Sequence, residues 1–420
     1  MRTKAQSGDE MRITWYEMKK ALTSPIIVIL LILFIAFNAF QVISQSYAKG
    51  ELKVVNDIAI TYGNAITEDS LERMQENMQE DVKQLGAEQG FQTYLEEMTF
   101  EKYEEASYKE QKAIDQLSLK SMYYGLGTGL EARYTGINMD DLREGLFAAS
   151  TMDGQLAEFM DRQFTGWENR YDEIVETGEY KEWFFAGEYR IHSELFRSLV
   201  KNIAVQSVLL VAMATALIAS YEAEQRTQSI TYTTKKGRKL IWHKFSASSI
   251  TAILLFLVLT GVSLGIFFAV YDFSKFWNTP VSSGLNWEYK LPYITWWPFT
   301  VWQFLILAII TELFVVLIVS ILTFALSIYI KNSYFTWILC MALLVALFIL
   351  PSFLVGSPWL QFFTSLNITW VLLNPHMYFS GGTDVMMIQY FELWSILLGL
   401  MITLLCNSWA IRRFFKKDVA

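Results

Sequence analysis

Residues 205–261, VQSVLLVAMATALIASYEAEQRTQSITYTTKKGRKLIWHKFSASSITAILLFLVLTG, contain two long apolar runs separated by a short segment dense in charge. An apolar run of about 20 residues is long enough to cross the hydrocarbon core of a bilayer as an α-helix. This stretch therefore predicts two membrane-crossing helices joined by a short polar loop at one membrane face. The rest of the chain repeats the pattern.

Composition agrees with a membrane protein. Of the 420 residues, 53% are hydrophobic and only 18% are charged, which is a lower charged fraction than soluble proteins usually have. The sequence predicts an all-α, polytopic membrane protein, because the long apolar runs define six spans at about 25–45, 199–220, 245–271, 298–330, 334–355 and 389–411. We accordingly divide the chain into a lead at 1–24, a first span at 25–45, a hydrophilic domain at 46–198, five further spans at 199–411 and a tail at 412–420.

Basic residues cluster on one side of this six-span arrangement. They precede the first span, fill the loop at 221–244, occupy the turn after the fourth span and follow the last span. Loops rich in lysine and arginine stay in the cytoplasm. We therefore expect both termini and the loop at 221–244 to be cytoplasmic.

The hydrophilic segment at 46–198 is then extracellular. It contains 15 Lys and Arg against 31 Asp and Glu, and long segments cross the membrane largely regardless of their charge. Apolar residues recur at helical spacing at 71–85, 100–117 and 142–160, which predicts a mostly helical domain. The glycines of YYGLGTGLEAR, which are Gly125, Gly127 and Gly129, predict a turn.

Two shorter segments predict helices at the membrane surface. Residues 12–22 alternate apolar with charged side chains, which favours an interfacial amphipathic helix that contains Trp15, Glu17, Lys19 and Lys20. The segment at 356–387 is too apolar for an ordinary loop and is interrupted by Asn-Pro and Gly-Gly pairs. It predicts a re-entrant or interfacial helix pair on the outer side.

No motif for catalysis, zinc binding or nucleotide binding occurs in the sequence. Glu312 is an acidic residue deep in a predicted span, and a residue of that kind is a functional candidate by default. A role in transport and a role in helix packing are both open for it. Four other residues are candidates for the transport path: Asn38, Gln206, Asn407 and His376. The alternative for the first three is an interhelical hydrogen bond, and the alternative for His376 is an interfacial position.

The arrangement resembles the membrane subunits of bacterial ABC exporters of the type-2 permease family. The likeness lies in an interfacial helix with Glu17 and Lys19-Lys20, in six spans, in an outer helix pair near Asn374-Pro375, and in the loop after the second span. In that family the loop runs from Glu through Thr or Ser, Pro and Gly-Arg to a Lys. Here Lys235 or Lys236 replaces the proline, and the external domain lies outside the resemblance.

The resemblance implies a permease of a bacterial plasma membrane that works with a second copy or a sister permease on two cytoplasmic ATPase subunits. ATP and Mg would be bound by those subunits, with no cofactor on this chain, and nucleic acid is not an expected partner. The interfacial helix would brace a coupling helix that seats on the ATPase. The residues assigned to coupling are Glu222, Glu224, Arg226, Thr233, Thr234, Lys235, Lys236, Gly237, Arg238 and Lys244.

The expected activity is export or clearance of an amphipathic substrate, such as an antimicrobial peptide, a lipid or a drug, and not an enzymatic reaction of this chain. Two alternatives remain. One is an ion- or proton-coupled transporter that uses Glu312. The other is a membrane sensor whose extracellular domain binds a ligand.

Overall fold

The computed structural model describes residues 4–148, 154–187, 191–233, 237–288, 291–381 and 384–416. Within these ranges the chain is built of α-helices and one short antiparallel hairpin, β1 Trp287–Glu288 with β2 Leu291–Pro292. The helices are α1 Lys4–Leu22, α2 Pro25–Ser44, α3 Lys49–Tyr62, α4 Glu68–Gln84, α5 Phe91–Glu96, α6 Phe100–Glu105, α7 Tyr108–Thr128, α8 Leu130–Thr135, α9 Met139–Ala148, α10 Gly154–Thr177, α11 Lys201–Glu224, α12 Gln228–Thr233, α13 Leu240–Val270, α14 Val301–Ile330, α15 Ser333–Ile349, α16 Pro358–Ser365, α17 Ile368–Leu373 and α18 Phe391–Lys416.

Six helical segments of the described chain are long and apolar enough to cross a membrane, so the chain is a multi-pass membrane protein. They are Pro25–Ser44, Ser193–Glu224, Gly237–Val270, Val301–Ile330, Ser333–Phe353 and Phe391–Lys416. The number and order of the predicted spans are confirmed. The second span begins earlier than predicted, because a π-helical stretch, Ser193–Val200, leads into α11 and contains the charged residues Glu194 and Arg197, which a search for apolar runs leaves out.

Successive spans run in opposite directions, which gives the molecule two distinct ends. One end, called the termini side below, contains α1, the α11–α13 loop, the α14–α15 turn and the end of α18. The opposite end, called the domain side, contains α3–α10, the α13–α14 connection and the α15–α18 connection.

The second and fourth spans form the centre of the bundle. α11 packs against α13, α14 and α15, and α14 packs against α13, α15 and α18. Alanines that are almost fully buried, including Ala204, Ala212 and Ala214 on α11, allow this close approach. α2 and α15 lie at the periphery, where their large apolar side chains are exposed.

The helical domain between the first two spans differs from two of the predictions, at 100–117 and at the glycines. Of the helix predicted at 142–160, the ends fall in α9 and α10, and residues 149–153 lie outside the described residues. The predicted seam at 71–85 is buried along α4 against α7. The predicted helix at 100–117 is instead two helices, because Ser107 caps the start of α7 in a capping box with Glu110. Gly125 and Gly127 lie inside α7, not in a turn. At Gly127 a β-carbon would come within 2.9 Å of Leu71 and of Trp183, so the glycine permits close helix packing.

The domain is fixed to the connections that leave the spans on its side. The ring of Trp167 lies so close to Gly381 that a β-carbon there would overlap it. Arg170 is buried, donates two hydrogen bonds of 2.6 and 2.7 Å to the Glu179 carboxylate, and donates a third to the Thr295 carbonyl at 3.3 Å. These contacts hold the domain directly on the mouth of the bundle.

The apolar segment between the fifth and sixth spans contains a pair of short helices. α16 and α17 lie on the domain side, and α17 packs against α11, α14, α15 and α18. Asn367 caps α17 with its side chain. Because α17 packs against these four helices, its backbone is buried against protein, as irregular structure at membrane depth requires.

Candidate functional site

Four charged side chains meet on the termini side, where α1 crosses the ends of α11 and α13. The Lys20 Nζ donates to Glu17 Oε1 at 2.6 Å and to Glu222 Oε1 at 2.8 Å. The Lys244 Nζ forms an ion pair with Glu222 and lies 3.4 Å from Glu17 Oε2. Lys244 also donates to the Ile218 carbonyl at the end of α11. We call these four residues the charge cluster.

The charge cluster is buried. The side chain of Lys244 is 0% exposed, those of Glu17 and Glu222 are each 6% exposed, and that of Lys20 is 20% exposed. Burying an unpaired charge costs several kcal/mol, but two carboxylates and two ammonium groups balance here. The charge cluster therefore fastens α1 to the second and third spans, and loss of one member would leave its partners buried and unpaired.

Local sequence explains how α1 contributes two of the four charges. Glu17 and Lys20 are three residues apart and so share one helix face. Burial alone would lower the pKa of Lys20, but its hydrogen bonds to Glu17 and Glu222 outweigh this and raise the pKa. The Lys20 ammonium also lies 4.3 Å from the centre of the Tyr221 ring, a favourable cation–π arrangement.

The opposite face of α1 is turned outward. Trp15 is 56% exposed and Lys19 is also exposed, which suits an interfacial helix. On the packed side, the Thr14 hydroxyl lies 3.2 Å from His243 Nδ1 and adds a second tie to α13.

The α11–α13 loop is bound at both ends to other helices. Glu224 accepts a 2.6 Å hydrogen bond from the backbone N–H of Ser333, the first residue of α15, and Arg238 donates to the Phe415 carbonyl near the end of α18 at 2.9 Å. Arg226 adopts a left-handed backbone with φ of 54°, which turns the chain into α12. Gly237 is buried.

These contacts change the interpretation of several predicted coupling residues. Glu222 and Lys244 are not available at the surface, since they are buried in the charge cluster. Glu224 and Arg238 bind their own chain and so position the loop. Thr234, Lys235 and Lys236 lie outside the described residues.

The surface left open on this loop is the outer face of α12. Ile230 is 73% exposed, and Thr233, whose hydroxyl donates to the Ser229 carbonyl, is exposed beside it. A large apolar side chain at the tip of a short, otherwise polar helix is suited to insertion into a partner's groove. Sequence reasoning missed Ile230 because it weighed only the charges; a lone isoleucine in a polar loop was the available signal.

The polar residues within the spans bond between helices. Asn38 on α2 donates to Gln206 on α11 at 2.8 Å and to Ser263 on α13 at 2.9 Å, and Gln206 donates back to Asn38 at 2.9 Å. All three are buried, which favours a packing role. Asn407 is buried on α18, and its Oδ1 meets no hydrogen-bond donor among the described residues.

Glu312 lies at the centre of a buried contact on the domain side of α14. The Tyr378 hydroxyl is 2.6 Å from Glu312 Oε1 and 2.7 Å from the Val371 carbonyl oxygen. A phenol has one proton, so Tyr378 can donate fully to only one of these acceptors. A proton on Glu312 would satisfy the other contact, and a neutral carboxyl suits a side chain that is 2% exposed.

His376 is buried near this contact, 3% exposed. Its carbonyl oxygen lies 3.4 Å from Nε2 of His192, a second buried histidine packed against Phe196, Tyr293 and Phe304. His376 is therefore not at the headgroup surface, which was the alternative considered for it. Burial lowers the pKa of His192 to about 4, so this histidine is neutral at physiological pH.

Comparison with known proteins gives no match: no family model, no curated protein and no solved structure matches the chain. Within the described residues, no group of three or more His, Cys, Asp or Glu side chains could hold a metal ion. The geometry of the termini side is thus the main support for a functional proposal.

Proposed function

We propose that this chain is the membrane subunit of an ATP-driven transporter, a permease that receives mechanical work through α12 from a separate cytoplasmic ATPase. The termini side is then cytoplasmic, and the domain side is extracellular. The observation that carries the proposal is a short helix with an exposed isoleucine, in a loop between the second and third spans whose two ends are hydrogen-bonded to α15 and α18.

Transmission of force requires that α12 cannot move independently of the spans. Glu224, just before α12, is hydrogen-bonded to the start of α15, and Arg238, after α12, is hydrogen-bonded to the end of α18. The charge cluster adds α1 as a brace across α11 and α13. A push on α12 would therefore reach four spans at once, which a flexible loop could not achieve.

The helix that a push on α12 would move is α11, at the buried centre of the bundle. α11 continues from the α12 loop through the middle of the bundle, and its other end joins the π-helical stretch under the domain. π-helical turns occur often at functional sites. We propose that a shift of α11 changes the packing at the mouth, where the domain rests, and so opens a path for an amphipathic substrate.

The alternatives from the sequence receive less support. Glu312 is engaged by Tyr378, and no lysine or arginine contacts it among the described residues, so a static packing contact explains it. The sensor hypothesis accounts for an extracellular domain that binds a ligand, but it does not account for the exposed apolar tip of α12.

The test is purification of the full chain from native membranes, with identification of any co-purifying protein that carries a nucleotide-binding motif. Ile230→Asp should reduce the recovered ATPase at least tenfold, because it places a charge in an apolar contact. Gln225→Asp is the matched control, since it adds the same charge to an exposed position outside α12. Equal recovery with both variants, or no ATPase with the wild type, would refute the proposal.

A further inference from the structure

A cavity of about 510 Å³ lies behind α12 on the termini side. Its walls come from the end of α11, α12, the segment that leads into α13, the start of α13, the end of α14 and the end of α18. Three basic residues line it, Arg238, Lys331 and Arg413, together with the polar residues Gln228 and Ser229 on α12. Two further serines and two tyrosines add polar atoms, and apolar side chains such as Ile241, Ile328 and Phe414 complete the wall, so the cavity is amphipathic.

Within the described part of the chain, the positive charge in this cavity is not balanced by acidic side chains. None of the described lining residues is acidic, and none of the three cations forms a salt bridge with any residue in the described ranges. Glu17 and Glu222 are already neutralised within the charge cluster, and the Glu224 carboxylate accepts a hydrogen bond from the backbone N–H of Ser333.

The basic side chains retain donors that can bind a ligand. Arg238 uses one N–H on the Phe415 carbonyl, and a guanidinium has five. Lys331 reaches Gln228 Oε1 only at 3.4 Å. The Arg413 guanidinium lies over the Tyr329 ring at 5.4 Å, which positions it without occupying its donors.

The cavity is at the depth of lipid headgroups. The ring centres of Tyr329 and Trp409 are 5.9 Å apart, and Trp409 lies one helical turn before Arg413 on α18. Such aromatics mark the membrane interface. Trp409 and Leu405 are 62% and 65% exposed on the outer face of α18, which indicates a lipid-facing surface next to the cavity.

We infer that this cavity binds a phosphate group, supplied by the headgroup of an anionic phospholipid or by a free phosphate anion. Arg238, Lys331 and Arg413 would surround the phosphate, and the apolar wall would accept the first carbons of a lipid chain. Gln228 and Ser229 line the same cavity, so an occupied site would fix the inner face of α12. Binding itself does not depend on the proposed function.

The binding test uses the full chain purified in a neutral detergent at low salt. The probes are dihexanoyl phosphatidylglycerol, dihexanoyl phosphatidylcholine and inorganic phosphate, and affinity is measured from the rise in melting temperature with concentration. The wild type should bind phosphatidylglycerol at least tenfold more tightly than phosphatidylcholine. Equal stabilisation by inorganic phosphate would identify a free anion as the source; its absence would identify the lipid.

The charge dependence is tested with the double variant Lys331→Gln/Arg413→Gln. Each cation near an anionic group contributes about a factor of five, so affinity should fall roughly 25-fold. The matched control is Lys239→Gln/Arg412→Gln, which removes two exposed charges from the same side but not from the cavity wall, and it should bind within about twofold of the wild type.

Two results would overturn the inference. One is no stabilisation of the wild type by either anion; loss of ATPase association in the Lys331→Gln/Arg413→Gln variant would then make the cavity part of a protein interface. The other is an equal loss of affinity in the two double variants, which would mean only general attraction to a basic surface.

Discussion

Replacing Lys244 by methionine tests whether the charge cluster holds α1 in place. Methionine keeps the length and apolar character of the side chain but removes the ammonium group. The charge cluster then keeps two carboxylates, Glu17 and Glu222, with one ammonium on Lys20. Because Lys244 is 0% exposed, solvent cannot replace it. Breaking a buried pair in this way costs about 3–5 kcal/mol.

The assay is hydrogen exchange of the α1 amides in lipid nanodiscs, which reports local opening. A loss of about 3–5 kcal/mol corresponds to exchange that is roughly 150- to 5,000-fold faster. Lys20→Met should have a smaller effect, about 1 kcal/mol, since its 20% exposed side chain lets water screen the pair. Lys239→Met removes an exposed lysine nearby and should leave α1 unchanged.

A second variant separates lost charge balance from lost packing. Lys244→Met/Glu222→Gln leaves one carboxylate and one ammonium, Glu17 and Lys20, which still pair at 2.6 Å. The double variant should therefore recover most of the protection that Lys244→Met loses. If Lys244→Met exchanges like the wild type, or if the double variant is as damaged as the sum of its single changes, the charge cluster does not fasten α1.

Three further predictions concern the domain side. Glu312→Gln should change the melting temperature little, because an amide can still accept the tyrosine hydrogen bond. Glu312→Leu cannot accept it and should lose about 1–3 kcal/mol of stability. Loss of transport by a stably folded Glu312→Gln variant would instead favour proton coupling. Gly381→Ala should cost about 1–3 kcal/mol, because its new methyl group would overlap Trp167, while Gly356→Ala, with open space around it, should be neutral in the same thermal assay. The pKa of His192 is about 4 in the fold against 6.5 for an exposed histidine. The unfolded state therefore takes up the proton first as pH falls below 6.5, and about 2 kcal/mol of stability should be lost by pH 5. Chemical unfolding of His192→Gln should lack this loss of stability between pH 6.5 and 5, and a variant with the same pH dependence as the wild type would contradict the prediction.

The membrane topology was predictable because each span has its own local signal. Runs of about 20 apolar residues carry that information without reference to the rest of the chain. The span boundaries were less predictable where charge enters a helix, as in Ser193–Val200, because this segment packs against distant parts of the chain, such as Glu288 and Phe304, which a search for apolar runs does not see.

The roles of the charged loop residues could not be read from their order alone. The sequence singled out Glu222 and Lys244, but the α1 residues that pair with them, Lys20 with Glu222 and Glu17 with Lys244, lie more than 200 positions earlier in the chain. Long-range pairing turned expected surface residues into a buried brace. Gly127 shows the same limit, because its role depends on Leu71 and Trp183, whereas glycine spacing alone indicated a turn.

The most direct test of the account is a photo-crosslinker placed at position 230 of the full chain in living cells. The account predicts an adduct with a protein that mass spectrometry identifies as an ATPase with a phosphate-binding loop, and far less of that adduct from a crosslinker at Gln225, which is exposed outside α12. Adducts at position 230 with lipid alone, or equal ATPase adducts from both positions, would contradict the claim that the exposed tip of α12 is where this protein receives the work of ATP hydrolysis.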